Sequence, residues 1–138
     1  MTAGAYLLDS SAAIDLIRGR KPAVRAEFRA MIAAGRTIAI SAIALFELRA
    51  GVEKSLASER EEARLSWLLA SPLEVWPFDA EDATEAGVLR VFLERHGAVI
   101  GPWDLLIAAQ ARRRGASLIT GNGREFARLP GLAVVNWS

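Results

Sequence analysis

The chain has 138 residues, with no cysteine and only one histidine. Without cysteine there is no disulfide scaffold, no thiolate metal site and no cysteine nucleophile. A lone histidine cannot form a ligating cluster. His96 precedes Gly97 and reads as the end of a helix, where the dipole favours it, and not as a general base. Charge of one sign is also missing, since 17 Lys+Arg against 16 Asp+Glu leave a formal net charge of +1 and a pI near 8.3. Proteins that hold nucleic acid by bulk charge usually carry a larger positive excess. Any such chemistry here needs clustered cations and an acidic feature that balances them. No apolar run approaches the roughly 20 residues of a membrane span. The stretch MTAGAYLLDSS lacks the basic and long apolar regions of a signal peptide. A cytoplasmic protein is therefore expected. With no repeat, low-complexity tract or linker, one domain over residues 1–138 is expected.

The apolar content is high. Hydrophobic residues make up 52% of the chain, enough for a real core and against disorder. Ala5 to Leu8 is a short apolar run that stops at Asp9. From Ser10 the spacing of Ala13, Ile14 and Ile17 is helical, and Gly19 stops it. Pro22 opens a second helix carrying Val24, Phe28 and Ile32, closed by Gly35. Thr37 to Ile40 predicts a strand, and Ser41 an N-cap for a helix from Ala42 to about Lys54. A charged helix over Ser58 to Leu69, a strand over Leu73 to Trp76 and a long helix capped by Asp79 follow. After Gly101-Pro102, a helix runs from Trp103 to about Arg114 and Gly115 ends it. Ser117 to Thr120 predicts a strand, Arg124 to Arg128 a short helix, and Leu132 to Val135 the last strand. Apolar strands alternating with helices predict an α/β fold, a mostly parallel sheet of about five strands covered by helices. Such sheets bind ligands beyond the carboxyl ends of their strands.

Three acids stand out in this frame. Asp9 lies at the carboxyl edge of the first strand, where a ligand belongs, and equally suits a helix N-cap, with Ser10 or Ser11 able to cap instead. Glu47 shares one side of its helix with Ile43, Ala50 and Gly51, beside Phe46. A carboxylate on such a stripe needs a partner, either a metal ion or an arginine such as Arg49. Asp104 opens an apolar helix, as a cap or as a site residue. Ala108 and Ala111 on its side would let that helix approach a neighbour closely. Three carboxylates brought together repel one another unless a cation sits between them. Oxygen ligands without cysteine or a histidine cluster point to a hard ion, Mg2+ or Mn2+, which activates water and offsets charge on a phosphodiester.

Five blocks, YLLDSSAAIDLIRG, ISAIALFELRAGVEKS, LEVWPFD, IGPWDLLIAAQA and LITGNGREFARLPGLAVVNW, span nearly the whole chain in order. Together they make it resemble a PIN-domain ribonuclease of the VapC toxin type. The resemblance implies an α/β PIN-like domain that hydrolyses RNA with Mg2+ or Mn2+. It also implies a small VapB-type antitoxin as partner and a homodimer. It assigns catalytic and metal-binding roles to Asp9, Glu47 and Asp104, and supporting roles to Ser10 and Thr120. The fourth acid of many relatives falls on Asn122, which offers a carbonyl but no charge, so one well-held metal is expected before two. Glu125 can supply a carboxylate to that edge. Two further departures are Gln110, where the family often has histidine, and Trp103, where it has a small polar residue. Trp103 can stack on an RNA base or plug an interface. Arg112 and Arg124 are the cations expected to contact phosphate. Haloacid-dehalogenase phosphatases need a second Asp where Ser11 stands, and receiver domains need a late Lys, yet none lies beyond Lys54. An inactive RNA- or protein-binding module with a decayed metal site is the remaining alternative, and Asn122 is the residue that favours it.

Overall fold

The computed structural model describes residues 4–137; Met1 to Ala3 and Ser138, the ends of the expected domain and of the leader reading, lie outside the described residues. Five strands form one sheet: β1 (Tyr6–Leu8), β2 (Ile38–Ser41), β3 (Glu74–Trp76), β4 (Ser117–Thr120) and β5 (Val134–Asn136). Their order is β3-β2-β1-β4-β5, and all four pairings are parallel. Seven helices complete the chain: α1 (Ser10–Arg18), α2 (Pro22–Ala33), α3 (Ala42–Lys54), α4 (Ser58–Leu69), α5 (Ala80–Arg95), α6 (Pro102–Arg114) and α7 (Gly123–Phe126).

Parallel pairing buries both faces of the inner strands, which explains their continuous apolar runs. Leu7, Leu8, Ile38, Ile40, Leu118 and Ile119 are all essentially inaccessible. Edge strands β3 and β5 are more exposed, as their mixed sequences require. The last strand lies two residues later than its apolar run suggests at its start, because Leu132 packs on the core without pairing. The short helix likewise begins at Gly123 and ends at Phe126, the fully buried residue that anchors it.

Helix ends follow local chemistry. Gly19 and Gly115 close α1 and α6 with φ of 66° and 67°, backbone that only glycine adopts freely. Asp79 and Asp82 form a reciprocal capping box at the start of α5. Ala108 and Ala111 of α6 are fully buried, in keeping with their small size. The strand order reverses direction between β1 and β4, so these two strands flank the topological switch point. A crevice opens there in folds of this kind. Among the described residues no helix is long and apolar enough to cross a membrane.

Candidate active site

Asp9 follows β1 directly and sits at that switch point, only 1% exposed. It also caps α1, accepting from the Ala12 N–H at 2.9 Å. The two roles expected of it as alternatives are thus both open to one side chain, and neither Ser10 nor Ser11 caps the helix. Ser11 has another task. Its hydroxyl donates to Asp9 Oδ1 at 2.8 Å, accepts from the Gly121 N–H at 2.9 Å and lies 3.3 Å from Thr120 Oγ1. It therefore ties the end of β1 to the end of β4. The Thr120 hydroxyl also bonds to Asp9 and accepts from the Asn122 N–H at 2.9 Å. A Cβ on Gly121 would make ordinary contacts at this seam, 3.4 Å from both Ser11 Oγ and Asp15 Oδ2.

Glu47 comes from the second turn of α3 and accepts a short hydrogen bond from the Ser10 hydroxyl. The rival partner, Arg49, pairs with Glu62 instead. The core does not close over Glu47: Ile14, Gly51 and the buried core residues Leu48, Val52 and Leu65 line a groove of about 210 Å³ with it. Half-buried in that groove wall, Glu47 keeps access to solvent. Asp104 lies in the first turn of α6, whose N-cap is Gly101 and has no side-chain cap bond. Capping therefore does not account for Asp104.

The electrostatics link four carboxyls. Burial pushes the Asp104 carboxyl up to about 6, and the charges of Asp9, Glu125 and Glu47 add to the rise. Asp9 is also raised, by burial first. Hydrogen bonds from Ala12, Thr120 and Ser11 pull it back, while the Glu47 charge pushes it further up. Among the described residues, no ion pair involves Asp9, Glu47, Asp104 or Glu125. Four mutually repelling carboxyls without a cation are an unstable arrangement unless an ion or a proton joins them. As they stand, no three acids among the described residues form a group that could hold one ion by themselves. That fits a hydrated Mg2+, which is usually bound through one or two carboxylates, with waters and phosphate oxygens filling the rest.

The other expected site residues divide. Asn122 is exposed at the end of β4 and Glu125 is half-buried in α7, both lining one cleft with Arg124. Trp103, 44% exposed, precedes Asp104 and meets Phe46 edge-on at 5.3 Å between ring centroids. Arg112 is not brought to the acids. It pairs with Glu85, and it stands eight residues beyond Asp104 on α6, about 12 Å along the helix axis. Gln110 is fully buried and donates to the Trp76 and Pro77 carbonyls, a bracing contact between α6 and the end of β3. His96 ends α5 as expected, its Nδ1 2.7 Å from the Phe92 carbonyl. Ser11 was weighed only as a helix cap and Phe46 only as a neighbour of Glu47, so their places beside Asp9 and Trp103 were missed. The Ser-Ser pair after Asp9 was the available signal for the first.

A doubly wound parallel sheet with an acidic cluster at its switch point defines the class of protein. The model described as "PIN domain" matches residues 6–132, and the chain belongs to the PIN-domain family, among its VapC ribonucleases. It is similar to the tRNA(fMet)-specific endonuclease VapC of Salmonella typhimurium, 37% identical over 132 residues, covering 96% of this chain and 97% of that one. It is 39% identical to ribonuclease VapC2 of Rickettsia felis over 132 residues, with the same coverage. The crystal structure of VapBC2 from Rickettsia felis, bound to a DNA fragment from its promoter, superposes with a TM-score of 0.90 at 36% identity. That match covers 97% of this chain and 99% of that one.

Proposed function

We propose that this protein is a metal-dependent endoribonuclease, the toxin of a type II toxin–antitoxin pair. The observation that carries this reading is the group of four electrostatically coupled carboxyls, without a cationic partner, at the β1–β4 switch point. The chain's place among VapC ribonucleases supplies the reaction class. Asp9, Glu47 and Asp104 would hold Mg2+ or Mn2+, one or two of them directly and the rest through its waters, with Ser10, Thr120, Asn122 and Glu125 in support. The ion, when bound, activates a water and stabilises the charge that develops on the scissile phosphodiester. The chain's own contribution is to hold that geometry. Ser11 and the α1 amide fix one oxygen of Asp9, and Ser10 orients Glu47. Asn122 in place of a fourth acid leaves one metal position stronger than the other.

The substrate is RNA, and the named specificity of the Salmonella relative makes tRNA the first candidate. The partner is a VapB-type antitoxin that covers the acidic pocket, and the active form is a homodimer acting in the cytoplasm. Purified protein should cleave RNA with Mg2+ or Mn2+ and not with chelator. Asp9→Asn should lower the rate by more than about 100-fold, the upper end of what outer-shell substitutions cost a metal site. Equal cleavage by wild type and variant would mean a contaminating nuclease and a wrong site. No metal binding by titration would favour the inactive binding module, the reading to which Asn122 lends weight.

A further inference from the structure

The most open cleft beside the acids lies between α7 and the end of β5. It has a volume of about 670 Å³ and is lined by Gly121, Asn122, Arg124, Glu125, Arg128 and Asn136. It adjoins the candidate active site, because Gly121, which lines it, donates to the Ser11 hydroxyl that in turn holds Asp9. Glu125, another of its walls, is one of the charges felt by Asp104.

The cleft carries cations that the fold does not use. Arg112, Arg113 and Arg114 are all engaged with Asp79, Glu81, Asp82 or Glu85. Among the described residues Arg124 and Arg128 have no carboxylate, hydrogen-bond or ring partner, and both are exposed. They lie four residues apart with Glu125 between them in sequence, yet neither pairs with it. A net charge of +1 gives a polyanion no general attraction, and the acids repel one locally. Local cations next to the acids are what such a ligand requires.

The wall opposite is built to a fixed shape. A Cβ on Gly123 would fall 2.7 Å from Asn136 Cγ and 2.9 Å from its Cβ, so the Asn136 side chain packs onto the bare Cα of α7. The Trp137 N–H, donating to the Thr120 carbonyl at 2.8 Å, fixes the end of β5 against the end of β4. The cleft is therefore walled by the Asn136 side chain and the joined ends of β4 and β5, with Arg124 carried by the short α7 beside Glu125 and Arg128 two residues beyond its end.

We propose that this cleft holds the RNA phosphate neighbouring the scissile one, with Arg124 and Arg128 as its ligands and Asn136 as the wall beside the strand. The proposal rests on the ribonuclease reading and adds Arg128 and Asn136 to the substrate path. Arginine suits the task, since its planar fork pairs with phosphate oxygens in two-point contacts.

The test uses the full chain carrying Asp9→Asn, so that RNA is bound and not cut, and a labelled short single-stranded RNA. Dissociation constants are measured over a range of salt for this protein and for versions adding Arg124→Gln, Arg128→Gln or both. Arg29→Gln, on exposed α2, controls for the loss of one charge. Each cleft substitution should weaken binding about five-fold at ~0.1 M salt and reduce the salt slope by about 0.7, the value for one phosphate contact on a single strand. Arg128→Lys should recover part of the loss, and Arg29→Gln should change little. Circular dichroism checks that each variant folds. In the cleaving enzyme, the cleft substitutions should raise KM more than they lower kcat. If the cleft variants bind as the Arg29→Gln control does, the proposal is overturned, even where Asp9→Asn abolishes cleavage and the nuclease reading survives. If they bind RNA normally but lose a co-expressed protein partner, the cleft is a protein-docking surface and the proposal fails as well. A wild type that cleaves no RNA with either metal overturns the nuclease reading separately, whatever the binding data show.

Discussion

Asp104 shows how one residue's setting becomes a measurable property. Its carboxyl is raised to about 6 by burial and by three neighbouring acids. The folded state therefore holds its proton more tightly than the unfolded chain, whose value is near 3.8. Below about 4 both states are protonated and the residue is neutral in its effect. Between about 4 and 6 the unfolded chain ionises first, so this residue's contribution to stability falls as pH rises, and above 6 the penalty is complete. The shift corresponds to about 3 kcal/mol at most, and partial exposure and screening reduce it to about 1–2 kcal/mol. Asp104→Asn should thus stabilise the metal-free protein at pH 7.5 and leave it unchanged at pH 4. Thermal melts in chelator at both pH values test this. A variant destabilised equally at both would mean that Asp104 is held by packing and not strained by charge.

At the scale of elements, α1 serves both the fold and the site. Its N-cap is Asp9, and Asn caps helices as well as Asp does, whereas Ala does not. Asp9→Asn should therefore fold normally, and Asp9→Ala should be about 1 kcal/mol less stable than Asp9→Asn by urea denaturation. Equal stability of the two variants would show that the Ala12 and Ser11 bonds contribute nothing to the helix. This double duty also explains what the sequence could and could not reveal. The bounds of α3 and β4 were readable because the Ser41 side chain caps the one and Gly115 and Gly121 flank the other, whereas α4 was readable without side-chain caps, from its charged pattern and the Ser71-Pro72 stop. β5 was displaced because Leu132 is apolar for packing and not for pairing. Asp9 remained ambiguous because capping and ligation use the same carboxylate at the same place. The partner of Glu47 lay beyond local pattern, since Ser10 is 37 residues away and only the pairing of β1 with β2 brings α1 to α3. The pairing of Arg112 with Glu85 was hidden for a similar reason. A triplet of arginines at a helix end looks like a solvated cationic patch, and the acids that occupy it come from α5.

Across the whole molecule, charge is divided between a neutralised region and an uncompensated one. Asp82, fully buried, receives Arg113 Nε at 2.7 Å and Arg114 at 2.9 Å, and locks the last turn of α6 to the first turn of α5. Burial alone would raise its carboxyl, but Arg114, the Asp79 amide and Arg113 outweigh that and hold it below the usual range. That stability is present above the unfolded value near 3.8 and is lost as pH falls through the lower folded value. Asp82→Ala should cost about 1–3 kcal/mol through the lost charge-assisted hydrogen bonds, since Arg113 keeps Asp79 and Glu81 and Arg114 keeps Asp79 and the Pro77 carbonyl. Because Asp104 lies in the first turn of α6, at the opposite end from this clamp, RNA cleavage at low temperature should still be measurable, and a denaturation curve unchanged from wild type would contradict the clamp.

The uncompensated acids lead to the opposite expectation, since no cation among the described residues pairs with them and a divalent ion can. Such an ion binds the folded protein and not the unfolded one, so it should raise the melting temperature. At ten times its dissociation constant the gain is about 1.4 kcal/mol, and at a hundred times about 2.7 kcal/mol. Protons compete for the same oxygens. The gain should therefore be large at pH 7.5 and shrink as pH falls through about 6, where Asp104 takes up its proton. Asp104→Asn should reduce the gain at every pH, because it removes one charge from the set. Melts with Mg2+, Mn2+ and chelator, each at two pH values, separate the outcomes. A melting temperature that ignores both ions at pH 7.5 would mean that these acids do not form a metal site in the folded chain. A rise that is the same in Asp104→Asn would move the ion elsewhere.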